Sequence, residues 1–289
     1  MSVIRVKNLT KKYDNFTAVN HISFEVEKGT MLGFLGVNGA GKTTVINMLA
    51  TLLTPNEGSA EICGKTLGKN NQEIRRKIGI VYQQNCLDDI LTVKENLICR
   101  GILHGASRAE AKAQCGKLSE ILKLDEILKK KYRTLSGGQK RRAEIAAALM
   151  HTPELLFLDE PTTGLDPATR QDVWNTIEEL RKNEKMTVFL TTHYMEEAAG
   201  ADKIIIMDHG NIITQGTPFE LKEKYASDRL HLYYKSGQEE EIQVPSTLKA
   251  LPLIHAAEDK INGFEVIQGN MDDVFLNAVG RTLTEEGGK

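Results

Sequence analysis

The sequence predicts an α/β fold built on a parallel sheet, and two stretches of the chain support this prediction. In the first, an apolar run at residues 31–35 leads into a glycine-rich loop, residues 36–41, and then into a helical pattern. In the second, residues 155–207, short apolar strands alternate with helical segments. Such alternation is typical of parallel sheets, whose ligands bind beyond the carboxyl ends of the strands. We therefore expect the functional site at that edge of the sheet.

The first domain is expected to span residues 1–224. Its first sixty or so residues show short strand patterns separated by turns, which fits an antiparallel β subdomain. A helical subdomain is expected at about residues 84–150, where Ser107 and Glu110 form a capping-box pattern and a further helix covers residues 143–150. The α/β alternation then returns with a strand at 155–158, a helix from 167, a strand at 187–190, a helix from 195 and a strand at 203–207.

Residues 225–289 are expected to form a small α+β accessory domain. The pattern predicts strands at 230–235, 239–244 and 264–268, and helices at 246–254 and 271–279. A unit of about sixty residues is near the lower limit for independent folding. We therefore expect it to dock on the main body or on a partner.

Composition indicates a soluble globular protein and excludes several classes. Of the 289 residues, 40% are hydrophobic and 26% charged, and the net charge of −2 gives no electrostatic reason to expect a nucleic acid partner. No apolar run approaches the roughly 18 residues of a membrane-spanning helix, and no N-terminal signal is evident. The cysteines lack paired spacing and are interpreted as reduced thiols rather than disulfides or a metal site: Cys63, Cys86, Cys99 and Cys115.

The glycine-rich loop has the pattern of a phosphate-binding loop. Residues 36–44 read GVNGAGKTT, between a strand and a helix. The glycines let backbone N–H groups surround an anion, and the helix N-terminus adds its positive dipole end. Lys42 would reach the β- and γ-phosphates, and the Thr43 hydroxyl would bind Mg²⁺. The alternative is a glycine-rich turn before an ordinary helix.

Two acids follow the apolar run at residues 155–158. A strand buried on both faces would bring Asp159 and Glu160 to the carboxyl edge of the sheet. There Asp159 could hold Mg²⁺, through water, and Glu160 could polarise the water that attacks the γ-phosphate. The alternative is a strand that ends in solvent with two exposed acids.

The sequence Leu135-Ser136-Gly137-Gly138-Gln139 is a second glycine motif before a helix. Ser136 is a favourable N-cap, and the two glycines offer backbone N–H groups to an anion. Read alone, the motif could be a capped helix and nothing more. We call residues 136–139 the signature turn.

Taken together, these motifs resemble those of ATP-binding cassette (ABC) ATPases, over about residues 2–224. The resemblance implies catalytic roles for Lys42, Glu160 and His193. It implies Mg²⁺ ligands at Thr43, Gln83 and Asp159. It also implies an ATP site formed by Tyr13, Gly36, Val37, Asn38, Gly39, Ala40, Gly41, Lys42, Thr43, Thr44 and Gln83.

Several of these assignments have a second interpretation. Tyr13 would stack on adenine, but it could be a tyrosine at the end of a strand. Gln84 lies beside Gln83, and either could be a solvated loop amide. Asp166 matches the family's D-loop and is also a suitable helix N-cap before a proline. Val37 stands where relatives often have proline, at a position that contributes backbone only.

In ABC proteins the signature turn of one subunit completes the ATP site of another. One phosphate loop and one signature turn therefore imply a second ATP-binding subunit, with a homodimer expected, and ATP and Mg²⁺ as cofactors. ATP would lie between Lys42 of one copy and residues 136–139 of its partner. Hydrolysis would remove the contact that holds the dimer closed.

Several segments resemble the daunorubicin-resistance type of exporter ATPase. The segments that resemble it are IGIVYQ at 78–83, LTVKENL at 91–97, MDDVFL at 271–276 and Gly280-Arg281. This resemblance implies outward transport through a separate permease of about six membrane helices, reached through residues 83–97. The chain would then lie on the cytoplasmic face of the cell membrane. Cargo recognition would lie in the permease.

Three other functions are compatible with the motifs. An importer ATPase would carry a different appended domain. A soluble ABC protein of translation or DNA repair usually carries two cassettes or a long coiled-coil insertion, and neither is visible here. A degenerate regulatory subunit is opposed by Glu160 and the intact signature turn.

Overall fold

The computed structural model describes residues 1–184 and 186–280, without the side chains of residues 182–184. The strands are β1 (Ser2–Tyr13), β2 (Phe16–Glu27), β3 (Met31–Leu35), β4 (Glu57–Ile62), β5 (Lys65–Thr66), β6 (Ile78–Val81), β7 (Leu155–Asp159), β8 (Thr187–Thr192), β9 (Lys203–Asp208), β10 (Asn211–Gly216), β11 (Asp228–Tyr234), β12 (Glu239–Val244) and β13 (Ile261–Ile267). The helices are α1 (Lys42–Leu49), α2 (Asn71–Lys77), α3 (Val93–Leu103), α4 (Arg108–Ile121), α5 (Gly137–Leu149), α6 (Pro167–Glu184), α7 (Pro218–Tyr225), α8 (Thr247–Ala257) and α9 (Met271–Val279). Short 3₁₀ helices cover Tyr132–Thr134 and Met195–Gly200.

A six-stranded sheet forms the centre, in the order β10-β9-β3-β8-β7-β6. The five strands from β9 to β6 run parallel, and β10 pairs with β9 in the antiparallel direction. Every residue of β3, β7 and β8 is buried, because helices and a second sheet cover both faces. The predicted α/β fold with a parallel sheet is confirmed.

Alternate residues of the central strands enter two different cores. On one face, Leu156 and Leu158 pack with residues of α5 and α6. On the other face, Leu155 and Phe157 pack with α1 and with the antiparallel sheet. Because successive side chains of a strand point to opposite faces of the sheet, the position of a residue in the strand determines which core it enters.

The antiparallel subdomain is a four-stranded sheet in the order β2-β1-β4-β5. Short strands are expected here from the sequence, but β1 and β2 are 12 residues long each. Several register shifts interrupt their pairing, including one between Val6 and Leu9. Each bulge breaks the alternation of buried and exposed residues, so one bent strand has the sequence pattern of several short ones.

The helical subdomain has three capping boxes, each with a side-chain cap at the first turn: Thr92 before α3, Ser107 before α4 and Ser136 before α5. The box at Ser107 confirms the sequence expectation. Helix α5 begins at Gly137 rather than at residue 143, because the cap at Ser136 starts it before its apolar pattern begins. The helix expected from residue 195 is a 3₁₀ helix that ends at Gly200, just before β9.

The C-terminal region has two parts that pack differently. A three-stranded sheet, β12-β11-β13, and helix α8 enclose a small core that includes Leu230, Leu232 and Ala250. Helix α9 instead buries Met271 and Phe275 in the main core. Residues 281–289, expected from the sequence to belong to the small domain, lie outside the described residues.

None of the described helices has both the length and the apolar character needed to cross a lipid bilayer.

The packing of α9 predicts that Phe275 stabilises the main body. Phe275→Ala removes a side chain that is 6% exposed and should lower the free energy of unfolding by about 3 kcal/mol. Denaturant unfolding would measure this change. The control is Leu248→Ala on α8, where the side chain is 75% exposed and the expected change is within about 0.5 kcal/mol. Equal effects of the two substitutions would contradict the packing of α9 on the main core.

Candidate functional site

A cleft of about 500 Å³ lies where the central strands end. The turn between β1 and β2, the phosphate loop (residues 36–41), the loop after β6 and the residue after β7 all contribute to it. The lining residues are Tyr13, Phe16, Ala18, Asn38, Gly39, Ala40, Gly41, Lys42, Thr43, Thr44, Gln83 and Glu160. Most of the residues assigned to the ATP site from the sequence are therefore neighbours in space.

Two glycines of the phosphate loop are required by close backbone approach. Gly41 has φ +107°, and a Cβ there would lie 2.4 Å from the Ala18 carbonyl oxygen. A Cβ on Gly36 would lie 2.4 Å from the Met207 carbonyl oxygen. Gly41 precedes α1 without a side-chain cap, so the first backbone N–H groups of the helix remain available to a ligand.

Lys42 is 4% exposed and turns back toward its own loop. Its Nζ donates to the carbonyl oxygens of Gly36 at 2.7 Å and Val37 at 3.1 Å, and it lies 3.6 Å from Oε1 of Glu160. Burial lowers the pKa of Lys42, and the negative charge of Glu160 opposes that shift. These oxygens hold the buried cation in the place where phosphate oxygens would be its partners.

Asp159 is the buried carboxylate beside this cation. Oδ1 of Asp159 accepts a hydrogen bond of 2.6 Å from the Thr191 hydroxyl. Burial raises the pKa of Asp159, while the hydrogen bond from Thr191 and the charge of Lys42 act in the opposite direction. A hydrogen bond from Thr43 also lowers the Asp159 pKa. Two of the Mg²⁺ ligands expected from the sequence, Thr43 and Asp159, are therefore hydrogen-bonded to each other.

These oxygen ligands fit Mg²⁺ bound with a nucleotide. Thr43 and Gln83 line the cleft, and hydroxyl, amide and carboxylate oxygens are hard ligands of the kind Mg²⁺ prefers. Among residues 1–184 and 186–280, no group of three or more His, Cys, Asp or Glu side chains could hold a metal ion. Phosphate oxygens would therefore have to supply much of the coordination, as is usual for Mg²⁺ in nucleotide enzymes.

The carboxylate of Glu160 is held by three side chains. Its Oε2 accepts from Nε2 of Gln83 at 3.3 Å, the hydroxyl of Thr163 at 3.1 Å and Nδ1 of His193 at 3.2 Å. The last contact requires the proton on Nδ1, a tautomer assigned from this geometry. Gln83, rather than its neighbour Gln84, thus lies against the acid.

The backbone at Glu160 is left-handed, with φ 46°. This conformation costs a residue with a Cβ roughly 1–2 kcal/mol, so the surroundings must hold it. The Glu160 N–H donates to the Thr191 carbonyl oxygen at 3.0 Å, and Nη2 of Arg141 donates to the Glu160 carbonyl oxygen at 3.3 Å. The chain turns sharply here and aims the carboxylate at the phosphate loop.

The signature turn lies apart from this cleft. Within the described part of the chain, the lining of the cleft includes none of residues 136–139. Ser136 caps α5 and exchanges hydrogen bonds with Gln139. A Cβ on Gly138 would lie 2.2 Å from Cγ2 of Thr169, so α5 and α6 meet closely at this glycine. Asp166 accepts from the Thr169 N–H at 3.0 Å, the N-cap position considered from the sequence.

Sequence reasoning missed several residues of the site. Phe16, 62% exposed, is a second aromatic beside Tyr13 in the cleft; its position next to the β1–β2 turn was the available signal. Thr191, two residues before His193, had no role assigned from the sequence. Arg141 had no role assigned, because adjacent basic residues on a helix usually form a solvated face. The structure buries Arg141.

Comparison with known proteins decides the family. The sequence model described as "ABC transporter" matches residues 19–163, which include the phosphate loop, Gln83, the signature turn and Glu160. The chain belongs to the ABC transporter family. The predicted family, the ABC ATPase fold and the ATP-binding and ATP-hydrolysing activity are confirmed.

Relatives match over nearly the whole chain. The linearmycin resistance ATP-binding protein of Bacillus subtilis is 36% identical, over 98% of this chain and 100% of its own length. The daunorubicin/doxorubicin resistance ATP-binding protein of Streptomyces peucetius is also 36% identical, over 96% of this chain and 92% of its own. The Nod factor export ATP-binding protein I of Cupriavidus metallidurans is 34% identical, over 98% and 99%. These relatives favour the exporter prediction over the importer and the soluble alternatives.

Solved structures of ABC cassettes share the fold. The cbiO1 protein of Clostridium perfringens, described as part of the ABC transporter complex cbiONQ, has a TM-score of 0.72 and 27% identity, covering 78% of this chain and 92% of that one. A dimeric cassette in a post-hydrolysis state with ADP and Pi has a TM-score of 0.68 and 28% identity, covering 74% and 98%.

The raised pKa of Asp159 predicts that this acid destabilises the fold. Above the ordinary aspartate pKa of 3.8, the unfolded chain ionises more readily than the folded one, so stability is lost as the pH rises. Asp159→Asn should therefore unfold at a higher temperature than wild type at neutral pH, and the difference should shrink as the pH falls toward 3.8. Thermal unfolding across pH would measure it.

The control is Asp166→Asn, the same chemical change at an exposed N-cap. Hydrogen bonds from Thr169 lower the pKa of Asp166, so its ionised form favours the folded state. Asp166→Asn should give no stabilisation at neutral pH. A lower unfolding temperature for Asp159→Asn than for wild type would contradict the proposed cost of the buried charge.

Proposed function

We propose that this chain is the ATPase subunit of an exporter whose membrane-spanning permease is a separate polypeptide. The observation that best supports it is the Glu160 carboxylate, held by Gln83, Thr163 and His193 beside the phosphate loop. The functions for which the relatives are named, drug resistance and Nod factor export, support outward transport. Because those relatives serve different cargoes, cargo recognition belongs to the permease.

In the proposed reaction, Lys42 binds the β- and γ-phosphates and leaves its contacts with Gly36 and Val37. Thr43, Gln83 and Asp159 hold Mg²⁺, which neutralises phosphate charge when bound. Glu160 polarises the attacking water, and the Nδ1–H of His193 leaves Glu160 and donates to the γ-phosphate. The open face of Tyr13, with Phe16 beside it, takes the adenine ring.

Two copies of the chain are proposed to close on two ATP molecules. The phosphate loop and the signature turn occupy different surfaces of one chain, which supports completion of each site by the partner's residues 136–139. The dimeric structure of a cassette of the same fold gives further support. Only a triphosphate reaches both surfaces, so hydrolysis favours opening.

The permease, of about six membrane helices, is proposed to dock near residues 83–97 on the cytoplasmic face of the membrane. A groove of about 280 Å³ there lies between the sheet and the helical subdomain, and its lining includes Tyr82, Cys86, Arg100 and Glu144. Ile90, in the loop beside it, is 71% exposed. Because Gln83 follows Tyr82, which lines the groove, a movement of Gln83 at the ATP site would also move the lining of the groove.

Glu160→Gln tests the proposed role and the proposed dimer together. The amide keeps the volume of the side chain but cannot accept a proton, so turnover should fall by about 10²–10⁴-fold. With MgATP the variant should elute from size exclusion as a dimer, and without nucleotide as a monomer. Phosphate release measures the turnover. Undiminished turnover would refute the role of Glu160, and a monomer with MgATP would refute the dimer.

Glu154→Gln is the matched control. Glu154 lies just before the other end of β7, where it pairs with Lys77 at 2.8 Å, outside the cleft. Its substitution should leave both turnover and ATP-driven association close to wild type.

A further inference from the structure

Helix α5 carries two buried charges one turn apart. Arg141 is 5% exposed and Glu144 is 6% exposed, and both face the loop that follows β6. Neither pairs mainly with the other, since the hydrogen bonds of each go to surrounding groups. Buried charges are costly unless hydrogen bonds satisfy them, so a specific arrangement here calls for an explanation.

Arg141 binds three backbone carbonyl oxygens on two different loops. Nη1 donates to Tyr82 at 2.6 Å. Nη2 donates to Gln83 at 3.5 Å and to Glu160 at 3.3 Å. The planar guanidinium thus connects the loop that holds Gln83 with the peptide of the hydrolytic acid, a geometry that a single ammonium group cannot reproduce.

Glu144 fixes the next part of the same loop. Its Oε1 accepts from the N–H groups of Cys86 at 2.8 Å and Leu87 at 3.1 Å, and from the Tyr132 hydroxyl at 2.8 Å. Arg141 and Glu144 therefore hold the loop along residues 82–87. Arg141 binds carbonyl oxygens at its start, and Glu144 binds N–H groups at its end. The loop must follow α5 when that helix moves.

Helix α5 begins directly after Ser136, so in the proposed dimer its N-terminus faces the partner's nucleotide. The same helix carries Arg141, which holds the Glu160 peptide of its own chain. A helix moves as a rigid rod over this short distance, so a shift of the signature turn also moves Arg141. The left-handed peptide of Glu160 needs external contacts to keep its conformation. Its carbonyl is held by Arg141, which makes the carboxylate position dependent on α5.

We infer that Arg141 is a positioning residue that links the signature turn to Glu160 of the same chain. Binding of the partner's ATP to residues 136–139 then determines the position of the Glu160 carboxylate in this chain's own site. The two sites of the dimer are thereby coupled through α5. This inference rests on the proposed dimer. Arg141 touches no reacting atom in this scheme.

Arg141→Lys tests the link, with Arg142→Lys as its matched control. Lysine keeps the charge but cannot reach both loops, so kcat should fall by about 10–100-fold while KM for ATP changes less than about threefold. The Hill coefficient for ATP should fall toward one. Arg142, the same residue type at the next position, donates to the Lys123 carbonyl oxygen at 3.3 Å, away from Glu160, and its substitution should change neither quantity.

The double variant Arg141→Lys/Glu160→Gln separates positioning from general damage. If Arg141 acts through Glu160, the double variant should hydrolyse ATP no more slowly than Glu160→Gln alone and should still form the ATP-bound dimer. A further loss, or a kcat for Arg141→Lys equal to that for Arg142→Lys, would overturn the inference. If Arg141→Lys does not fold, Arg141→Gln takes the same tests, because its amide reaches one carbonyl without a buried charge. Failure of Glu160→Gln itself to dimerise would instead refute the proposed function.

Discussion

The structure of this site depends on a buried set of opposite charges at the edge of the central sheet. Lys42, Asp159 and Glu160 are each less than a tenth exposed. Such charges are tolerated only when each is compensated, and here hydroxyl, amide and imidazole donors share the two carboxylates while carbonyl oxygens share the cation. Breaking one contact leaves a buried charge without its partner. A triphosphate, with its own negative oxygens, can replace the carbonyl contacts of Lys42 and so reorganise the whole set.

The parallel sheet is the reason these charges meet. The phosphate loop follows β3, Glu160 follows β7, His193 follows β8 and Gln83 follows β6, and these four strands are neighbours in the order β3-β8-β7-β6. Residues far apart in sequence therefore lie within hydrogen-bond distance, as with the His193–Glu160 pair, 33 positions apart, and the Gln83–Glu160 pair, 77 positions apart. The signature turn begins a helix outside this row of strand ends. In the proposed dimer it serves a second molecule rather than its own.

The sequence allowed a good prediction of what depends on local pattern and less of what depends on packing. The glycine loop, the acids after an apolar strand and the capping box at Ser107 are short motifs with local physical causes. The long bulged strand β1 and the burial of Arg141 were not predictable in this way. A bulge changes the hydrophobic period of a strand, so the pattern does not show that the strand continues. A run of basic residues has the same sequence whether its side chains face solvent or bind two buried loops. Likewise, Phe275 lies in an amphipathic helix, and the pattern of that helix does not predict in which of the cores its apolar face is buried.

ATP is proposed to lie between the phosphate loop of one copy and the signature turn of another. The most direct measurement is site-specific cross-linking in a Glu160→Gln chain whose four native cysteines have been replaced. One preparation carries Asn38→Cys and the other Ser136→Cys, and a short bismaleimide is added to the mixture. We expect a cross-linked pair of chains with MgATP, and far less cross-linked product with MgADP or from either preparation alone. A yield that is independent of the γ-phosphate, or no cross-link when MgATP is saturating, would contradict it.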